Sequence, residues 1–274
     1  MGFSPKKELA RFLQEDIGSG DVTSGIITNR KIVAKIITRQ VCVVAGVKFA
    51  REIFAMNGCR VKILKKDGMR AKPSQIVLEI SGPARSILKC ERTALNLLSR
   101  MSGIATSTNE LVKIVKSTNP KTDIYSTRKT APGLRFFDKE AVMIGGGKKH
   151  RVTLSDMIMI KDNHIAVEGS MIELIRLAKK KSDTFEVEVD TQEDAIMAAS
   201  LGVPIIMLDN FAPQKISSTV LALKKLGLRD GVRLEASGGI NAKNIQKYAR
   251  TKVDMISIGS ITNSVKAVDF SLEM

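Results

Sequence analysis

Basic side chains are concentrated between residues 128 and 161, in short loops that follow runs of β-forming residues. Arginine offers a planar fork that matches a carboxylate, and lysine offers a compact charge suited to phosphate oxygens. Lys148 and Lys149, taken singly, fit an ordinary solvated surface. Arg128, Lys129 and Lys161 lie at predicted strand ends, which favours a pocket for a ligand that carries both carboxylate and phosphate groups. The whole group consists of Arg128, Lys129, Arg135, Lys148, Lys149, His150, Arg151 and Lys161.

Acidic side chains follow in the next two predicted strands. Glu186, Glu188 and Asp190 alternate with valines, so all three face one side of a strand. Burying three carboxylates together is costly unless cations balance them. Asp209 ends the following strand, and such an oxygen-only donor set suits Mg²⁺ carried in with a diphosphate better than zinc. Ion pairing with the basic group is the simpler explanation, and the two are compatible.

Glycine-containing loops follow the last two predicted strands. They hold Ser237, Gly238 and Gly239 in one loop, and Gly259 and Ser260 in the other. Glycine lets backbone amides approach a phosphate, and the late loops of α/β barrels often bind one. A single such loop is often just a turn, but two in succession favour a phosphate cup. The sequence contains neither a Walker loop nor a GxGxxG dinucleotide motif.

The elements that position these residues alternate between strand and helix after about residue 120. In a parallel α/β barrel the carboxyl ends of the strands meet at one rim, where such folds place their chemistry. A helix is predicted over residues 171–181, with an apolar face opposite its lysines. Strands are predicted at Asp123–Ser126, Met157–Ile160, Thr184–Val189, Ile205–Leu208, Arg233–Ala236 and Met255–Ile258.

Residues 1–103 have a different pattern, which suggests a separate α+β domain. Residues 31–38 and 75–80 are β-like, and residues 86–101 carry apolar side chains at helical spacing. We place the domain boundary near Ser102 and Gly103. The barrel domain then covers residues 104–263, and residues 264–274 are a candidate return to the first domain.

Composition narrows the class of protein. The chain has 274 residues, a formal net charge of +16, three cysteines without metal-binding spacing, and only 4% aromatic residues. The charge fits a soluble surface, an anionic ligand or RNA, but few aromatic side chains are present to stack on bases. No apolar run is long enough to span a bilayer, and no apolar leader is recognisable. We therefore expect a cytoplasmic protein that binds neither nucleic acid nor membrane.

Several long motifs resemble the carboxylating nicotinate-nucleotide pyrophosphorylases, also called quinolinate phosphoribosyltransferases. They follow one another in order over nearly the whole chain. The motifs are EDIG with GD (residues 15–21), ERTALNLLSRMSGIAT (91–106), TRKTAPGLR (127–135), GGGKKHR (145–151), IKDNHI (160–165), EVEVD (186–190), LDN (208–210) and SGGI (237–240).

The resemblance implies a fold and a reaction. The fold is an incomplete parallel α/β barrel of about seven strands, preceded by an N-terminal α/β sandwich domain. The reaction joins quinolinate to phosphoribosyl pyrophosphate in NAD biosynthesis, with release of pyrophosphate and carbon dioxide and formation of nicotinate mononucleotide. The implied cofactor is Mg²⁺, and the implied assembly is a homodimer or higher homo-oligomer with shared active sites.

The resemblance also implies residue roles. Lys129, Lys161, Glu188 and Asp209 would be catalytic, and Glu188 and Asp209 would also work through Mg²⁺. Arg92 would reach the site of a neighbouring subunit. The substrate-binding residues would be Arg92, Arg128, Thr130, His150, Arg151, Lys161, Asp190, Ser237, Gly238, Gly239, Gly259 and Ser260.

Four positions depart from the family pattern, beside the core motif positions rather than on them. Ser126 stands where aspartate is expected, Lys149 where asparagine is usual, Asp190 where glutamate is common and Asn263 where histidine is frequent. Two alternatives stay open at this point. One is the related molybdenum-operon protein of uncertain substrate, and the other is a non-catalytic basic RNA-binding protein.

Overall fold

The structure is a computed structural model that describes residues 3–274. The first two residues of the predicted first domain therefore lie outside the described part. The chain forms two compact units. Unit 1 comprises the residues up to Ser107 together with Met143–Gly145 and Val265–Met274, and unit 2 comprises Thr108–Val142 and Gly146–Ser264. No helix of the described residues combines the length and apolar character needed to cross a membrane.

The elements of the first part of the chain begin with a helix and continue mainly as strands. In order they are α1 (Pro5–Ile17), β1 (Lys31–Thr38), β2 (Cys42–Val43), α2 (Val47–Ala55), β3 (Arg60–Ile63), β4 (Arg70–Ala71), β5 (Ile76–Pro83) and α3 (Ala84–Thr118).

After α3, strands and helices alternate. In order they are β6 (Asp123–Tyr125), α4 (Arg135–Ile144), β7 (Ile158–Ile160), α5 (Asp162–Glu168), α6 (Met171–Lys179), β8 (Phe185–Val189), α7 (Gln192–Ser200), β9 (Ile205–Asp209), α8 (Pro213–Lys225), β10 (Arg233–Ser237), α9 (Ile245–Ala249), β11 (Met255–Ser257), α10 (Ser260–Asn263) and β12 (Phe270–Glu273).

Unit 1 is built on a four-stranded antiparallel sheet with the strand order β12-β1-β5-β3. The inner strand β1 pairs with β5 on one side and with β12 on the other, so the last residues of the chain complete the sheet that the first strand begins. Burial alternates in the first part of β1, as expected for a sheet with one face on a core, and the last three residues of the strand are all buried.

The helix α3 is longer than the sequence predicts. It continues to Thr118, so the predicted boundary at Gly103 falls inside a helix. Glycine usually weakens a helix interior, but a Cβ at Gly103 would collide with the backbone oxygen of Lys266. This glycine therefore permits a close backbone approach within unit 1.

Unit 2 contains a six-stranded parallel sheet with the order β6-β11-β10-β9-β8-β7. A single parallel bridge between Tyr125 and Lys148 adds a seventh position beside β6. The predicted fold class is confirmed, and the ends of all six predicted strands agree with the structure to within one residue. Because every strand is parallel, the loops after β6 to β11 emerge at the same rim of the sheet.

Helix caps fix the loops that leave the middle of this sheet. The hydroxyl of Thr191 accepts a hydrogen bond of 3.0 Å from the backbone N–H of Asp194 at the start of α7. Ser170 caps α6 in the same way through the N–H of Glu173. Each cap satisfies a backbone donor that a helix start leaves unpaired, so the turn from β8 to α7 and the turn from α5 to α6 are held in place.

Candidate active site

A cavity of about 450 Å³ lies at the carboxyl ends of the strands of unit 2. It collects polar residues that are far apart in the sequence, from β6 through β11. Its walls are formed by Ser126, Thr127, Arg128, Lys129, His150, Arg151, Met159, Lys161, Glu188, Met207, Asp209, Glu235, Ser237 and Ser257. Eight of the predicted site residues are therefore brought together: Arg128, Lys129, His150, Arg151, Lys161, Glu188, Asp209 and Ser237.

Two arginines in this cavity have few strong partners. The Nε atom of Arg128 is buried without a hydrogen-bond partner among the described residues. Arg151 directs its guanidinium to the backbone oxygen of Met157 at 3.4 Å and to the sulfur of Met159 at 3.0 Å. Burial, and then the neighbouring Arg128, lower the pKa of Arg151 from its usual range. Two cations that face one cavity with donors to spare suit an anionic ligand.

Unlike the two arginines, Lys161 has a charged partner, because its ammonium group forms an ion pair with Glu188. Lys161 also begins helix α5, and its backbone N–H donates a hydrogen bond of 2.9 Å to Nδ1 of His164. The lysine comes from the end of β7 and the glutamate from β8, so adjacent strands place the pair across the rim. A positive and a negative group are thereby held at one point of the cavity wall.

A second cavity of about 400 Å³ lies at the same rim and is mainly acidic. It shares Glu188 and Asp209 with the first cavity and adds Asp162, Asp190 and Asp194. All five side chains offer carboxylate oxygens, which are the ligands that Mg²⁺ prefers. The chemistry of these donors suits the predicted Mg²⁺ ion, and Glu188 and Asp209 line both cavities.

The three alternating acids of β8 differ sharply in burial. Glu186 is fully buried, Glu188 is half-buried and Asp190 is exposed. Only one of the three thus carries the full cost of burial, rather than all three. Asp190 lines the second cavity but not the first, and its backbone oxygen accepts a hydrogen bond of 2.6 Å from the Lys215 ammonium.

Glu186 belongs to a buried cluster that also contains His150 and Glu235. The Nε2 atom of His150 is 3.0 Å from a carboxylate oxygen of Glu235 and 3.2 Å from one of Glu186. The hydroxyl of Ser257 donates to the other oxygen of Glu235. Burial lowers the pKa of His150, but the two carboxylates outweigh it and raise the pKa to about 9. Burial, and then Glu235, raise the pKa of Glu186 to about 7.

Lys139 is a buried cation beside the cavity wall, and its side chain is 1% exposed. Its ammonium group donates to the hydroxyl of Ser126 at 3.2 Å and to the backbone oxygen of Lys149. The Ser126 hydroxyl in turn donates to the same backbone oxygen at 2.9 Å. Ser126, one of the departures from the family pattern, thus joins the start of the Arg128 loop to the segment that carries His150.

The glycine loops pack closely against neighbouring rim residues. Gly238 has a φ of 93°, and a Cβ there would collide with the side chain of Asn210. A Cβ at Gly259 would lie 3.0 Å from the Lys129 side chain. The hydroxyl of Thr262 donates a hydrogen bond of 2.8 Å to the backbone oxygen of Lys129. These loops therefore support the residues of the cavity wall.

Seven predicted site residues are not among the residues that line the first cavity, and one of them, Asp190, lines the second. Gly238, Gly239, Gly259 and Ser260 belong to the late loops, and the hydroxyl of Thr130 accepts a hydrogen bond of 3.2 Å from Arg135. Arg92 is an exposed residue of α3 in unit 1. The roles assigned to all the site residues stay predictions.

Sequence models of two domains match this chain. The N-terminal domain of quinolinate phosphoribosyl transferase matches residues 21–102, and its C-terminal domain matches residues 104–273. The chain belongs to the quinolinate phosphoribosyl transferase family. It is therefore an enzyme, a phosphoribosyltransferase, and the alternative of a non-catalytic RNA-binding protein was wrong.

Other members of the quinolinate phosphoribosyl transferase family are similar over nearly their whole length. The probable nicotinate-nucleotide pyrophosphorylase (carboxylating) of Archaeoglobus fulgidus is 44% identical over 93% of this chain and 98% of its own. That of Methanothermobacter thermautotrophicus is 42% identical over 97% of each chain. The solved nicotinate-nucleotide pyrophosphorylase of Ehrlichia chaffeensis matches with a TM-score of 0.93 and 37% identity, covering 100% of this chain and 99% of its own.

Three buried residues of this family member were missed by the sequence analysis. Glu235 lies in the middle of β10 and looks like an isolated polar residue in an apolar run. Ser257 ends β11, and Lys139 looks like one more surface charge in a helix rich in charged residues. The apolar strand around Glu235 and the charged helix around Lys139 give no sign of a partner. Only the fold could reveal what these two side chains contact.

Proposed function

We propose that the cavity of unit 2 is the site where the enzyme joins quinolinate to phosphoribosyl pyrophosphate and forms nicotinate mononucleotide, pyrophosphate and carbon dioxide. The observation that carries this proposal is the pair Arg128 and Arg151, whose guanidinium groups face one cavity with donors to spare. Quinolinate carries two neighbouring carboxylates on a pyridine ring. Two arginine forks suit such a ligand, because each can bind one carboxylate with two parallel hydrogen bonds.

The phosphoribosyl group would occupy the side of the cavity formed by the late strands. Ser237 lines the cavity there, and the loops with Gly238, Gly239, Gly259 and Ser260 follow the same strands. Backbone N–H groups of such loops can surround a phosphate. Lys129 is exposed and lies against Gly259, so its charge is available to the same phosphate-rich substrate.

Glu188 and Asp209 would hold Mg²⁺, since both line the acidic cavity as well as the main one. When bound, the ion supplies positive charge to the pyrophosphate that leaves. Asp190 would contribute from the acidic side. The lysines Lys129 and Lys161 would stabilise the same departing charge from the protein itself.

The reaction would proceed by cleavage of the bond between ribose C1 and the pyrophosphate oxygen. The bonding electrons leave with pyrophosphate, and the sugar develops oxocarbenium character, which the nearby carboxylate of Glu188 stabilises. The pyridine nitrogen then forms the new bond to C1. When the adjacent carboxylate departs as carbon dioxide, the electron pair of the broken bond stays on the ring carbon, where the positive charge of the quaternised nitrogen stabilises it, and a proton from solvent or a side chain then takes the place of the carboxylate on that carbon.

The assembly would be a homodimer in which Arg92 enters the neighbouring subunit's site. Arg92 is exposed on α3, which fits a side chain that meets an anion on another chain. In a two-fold dimer, the same contact would complete both sites.

One assay tests the proposed reaction. Purified protein should release carbon dioxide and form nicotinate mononucleotide from quinolinate and phosphoribosyl pyrophosphate in the presence of Mg²⁺. Absence of product over a range of pH and metal concentration would overturn the assignment and favour the related molybdenum-operon protein. Equal use of nicotinate, which lacks the carboxylate that is lost, would place the enzyme with non-decarboxylating relatives.

A further inference from the structure

Two cations of helix α4 contact the two segments that carry the cavity arginines. Arg135 and Lys139 are four positions apart, so their side chains emerge on the same face of the helix. The contacted segments are residues 126–130, which follow β6, and residues 149–152. Neither cation is among the residues that line the main cavity. Both therefore lie outside the space that a substrate would occupy.

Lys139 joins the first residues of the two segments. Its ammonium group donates to the hydroxyl of Ser126, at 3.2 Å, and to the backbone oxygen of Lys149. The Ser126 hydroxyl also donates directly to that oxygen, at 2.9 Å. Lys139 is 1% exposed and Ser126 is fully buried, so water does not compete for these hydrogen bonds. One end of each segment is thereby fixed to α4.

Arg135 joins the last residues of the same two segments. Its Nε atom donates to the hydroxyl of Thr130 at 3.2 Å, and its Nη1 atom donates to the backbone oxygen of Val152 at 3.1 Å. The backbone N–H of Val152 donates to the Asp156 carboxylate at 2.6 Å, so this peptide is held from both sides. The backbone N–H of Thr130 donates to the backbone oxygen of Arg128 at 2.9 Å. The other end of each segment is thus fixed to the same helix.

Each cavity arginine lies between these two bridges in the sequence. Arg128 belongs to residues 126–130, and Arg151 belongs to residues 149–152. The Nε atom of Arg128 has no hydrogen-bond partner in the described part of the chain, and Arg151 has only a carbonyl oxygen at 3.4 Å and a thioether sulfur. The bridges from α4 therefore restrain the spacing of the two arginines more firmly than the arginines' own contacts do.

We propose that Arg135 and Lys139 are positioning residues, which clamp the two segments together and set the spacing of Arg128 and Arg151 for a ligand with two adjacent carboxylates. The inference rests on the proposed function, because it takes quinolinate as the ligand of the two arginines. Arg135, a member of the basic group in the sequence, thus serves the ligand through the loops rather than by contact.

Two other roles for this pair make different predictions. As long-range charges, Arg135 and Lys139 would attract every anion, and Arg135→Lys would be harmless because it keeps the charge. As purely structural groups, they would support the fold, and their loss would weaken the binding of all ligands alike. A clamp makes the loss specific to ligands that engage both arginines, because only such ligands are sensitive to the spacing between them.

The first test compares the binding of quinolinate with that of picolinate and nicotinate, which each keep one of its two carboxylates. Lys139→Met removes both hydrogen bonds and also the cost of burying a charge, so the fold should survive. We expect this variant to weaken quinolinate binding about tenfold and the binding of either monocarboxylate less than about threefold. Isothermal titration calorimetry measures all three ligands. Equal weakening of the three would overturn the proposal.

The second test separates the hydrogen bonds of Arg135 from its charge. Arg135→Lys keeps the charge but replaces a planar fork with a single ammonium group, so it cannot reproduce two bonds from two separate nitrogens. We expect Arg135→Lys to lose most of the preference for quinolinate, as Arg135→Met does. Wild-type binding by Arg135→Lys, together with a loss in Arg135→Met, would show that only the charge matters and would contradict the clamp.

Lys116→Met is the matched control for both tests. Lys116 donates to the backbone oxygen of Pro120 and to the carboxylate of Asp123, at 2.7 Å each, at the amino end of β6 and so away from the rim. Its loss removes a cation with a similar pair of partners but leaves both arginine segments untouched. All three ligands should therefore bind to this variant as they bind to the wild type.

A double-mutant cycle with Arg151→Gln completes the test. With one arginine left, spacing no longer matters, so Lys139→Met should weaken quinolinate binding less than about twofold in that background. An undiminished effect there would contradict the clamp. Should Lys139→Met fail to fold, Arg135→Met takes its place in the cycle.

Kinetics distinguish failure of the clamp from failure of the proposed function. In Lys139→Met the KM for quinolinate should rise, while the KM for phosphoribosyl pyrophosphate should stay nearly unchanged. A wild-type enzyme that neither binds nor turns over quinolinate would refute the proposed function, and the clamp with it. A wild type that prefers quinolinate, with clamp variants that keep the same preference, would overturn the clamp alone.

Discussion

Lys129 and Lys161 both line the cavity, but their charges are neutralised to different degrees. Lys161 is paired with Glu188, whereas the Lys129 side chain is exposed and packs against Gly259. If each stabilises the departing pyrophosphate, replacing either with Ala should lower turnover at least about a hundredfold, the scale of a lost transition-state partner. Steady-state kinetics, with circular dichroism to verify folding, measures this.

A matched control separates this role from surface charge. Lys148 pairs with Tyr125 beside β6, forms an ion pair with Asp123 at the amino end of that strand and does not line the cavity. Lys148→Ala should therefore change turnover little. It should also leave the fold intact, since an exposed ion pair contributes about 1 kcal/mol or less to the free energy of unfolding. Near-normal turnover in both Lys129→Ala and Lys161→Ala would mean that the basic group is only a solvated surface.

The buried ammonium group of Lys139 makes the stability of the fold depend on pH. Burial, and then the nearby Arg135, lower the pKa of its ammonium group to about 8. Below that pH, the folded and unfolded chains both carry the proton, and the cost of burying the charge is present in full. As pH rises from about 8 towards the ordinary lysine pKa, the folded chain releases the proton first, so the unfolded chain binds more protons and stability increases.

The comparison of wild type with Lys139→Met isolates this effect, because the other titrating groups are common to both proteins. Relative to the variant, the free energy of unfolding of the wild type should rise between about pH 8 and 10.5, by roughly 1–3 kcal/mol. Denaturant unfolding at several pH values measures the difference. A difference that stays flat over this range would show that Lys139 remains charged in the folded protein.

At the scale of elements, the loop after β10 depends on two glycines with different surroundings. Gly238 and Gly239 both have positive φ values, of 93° and 62°, but only a Cβ at Gly238 would meet neighbouring atoms. Gly239→Ala should cost about 1–2 kcal/mol for the left-handed backbone alone. Gly238→Ala adds a collision with Asn210, for a total of about 3 kcal/mol.

These two variants should also differ in substrate binding. Asn210 lies in the loop after β9, and its backbone N–H donates a hydrogen bond of 2.9 Å to the backbone oxygen of Ser237. Displacing Asn210 therefore disturbs the contact between the loops after β9 and β10. We therefore expect Gly238→Ala to raise the KM for phosphoribosyl pyrophosphate more than Gly239→Ala does. Equal losses of stability and affinity in both variants would argue against close packing of the two loops.

The sequence predicted the elements of unit 2 more completely than their contacts. Short runs of β-branched residues fix the strands locally, and parallel pairing then brings Arg128, Lys161, Glu188 and Asp209 to one rim. The partner of His150 was not predictable in this way. Glu235 lies 85 positions away and reaches the ring only through the register of β10 with its neighbours.

The length of α3 illustrates a second limit of prediction from local sequence patterns. The domain boundary predicted near Ser102 and Gly103 falls inside this helix, although a glycine usually weakens a helix interior. Glycine stands inside the helix because a Cβ at this position would collide with the backbone oxygen of Lys266. A tertiary contact from residues more than a hundred positions away thus overrides a local preference.

At the scale of the whole molecule, the proposed dimer makes Arg92 and Lys129 parts of one site that come from different chains. Arg92 belongs to unit 1 and Lys129 to unit 2, and both side chains are exposed. Within one chain, an exposed arginine on a helix is an ordinary surface charge. If it instead binds substrate in trans, Arg92→Ala and Lys129→Ala should each be inactive alone, but an equal mixture of the two should recover activity after dissociation and reassociation.

The expected recovery follows from the symmetry of a two-fold dimer. In a mixed dimer, the subunit with intact Lys129 receives an intact Arg92 from its partner, so one site is whole and the other has both defects. Because random reassociation gives mixed dimers half of the time, about a quarter of wild-type activity should return. If Arg92 serves its own chain, every site keeps one defect. Mixed dimers demonstrated by differently tagged subunits, yet without activity, would then exclude action in trans.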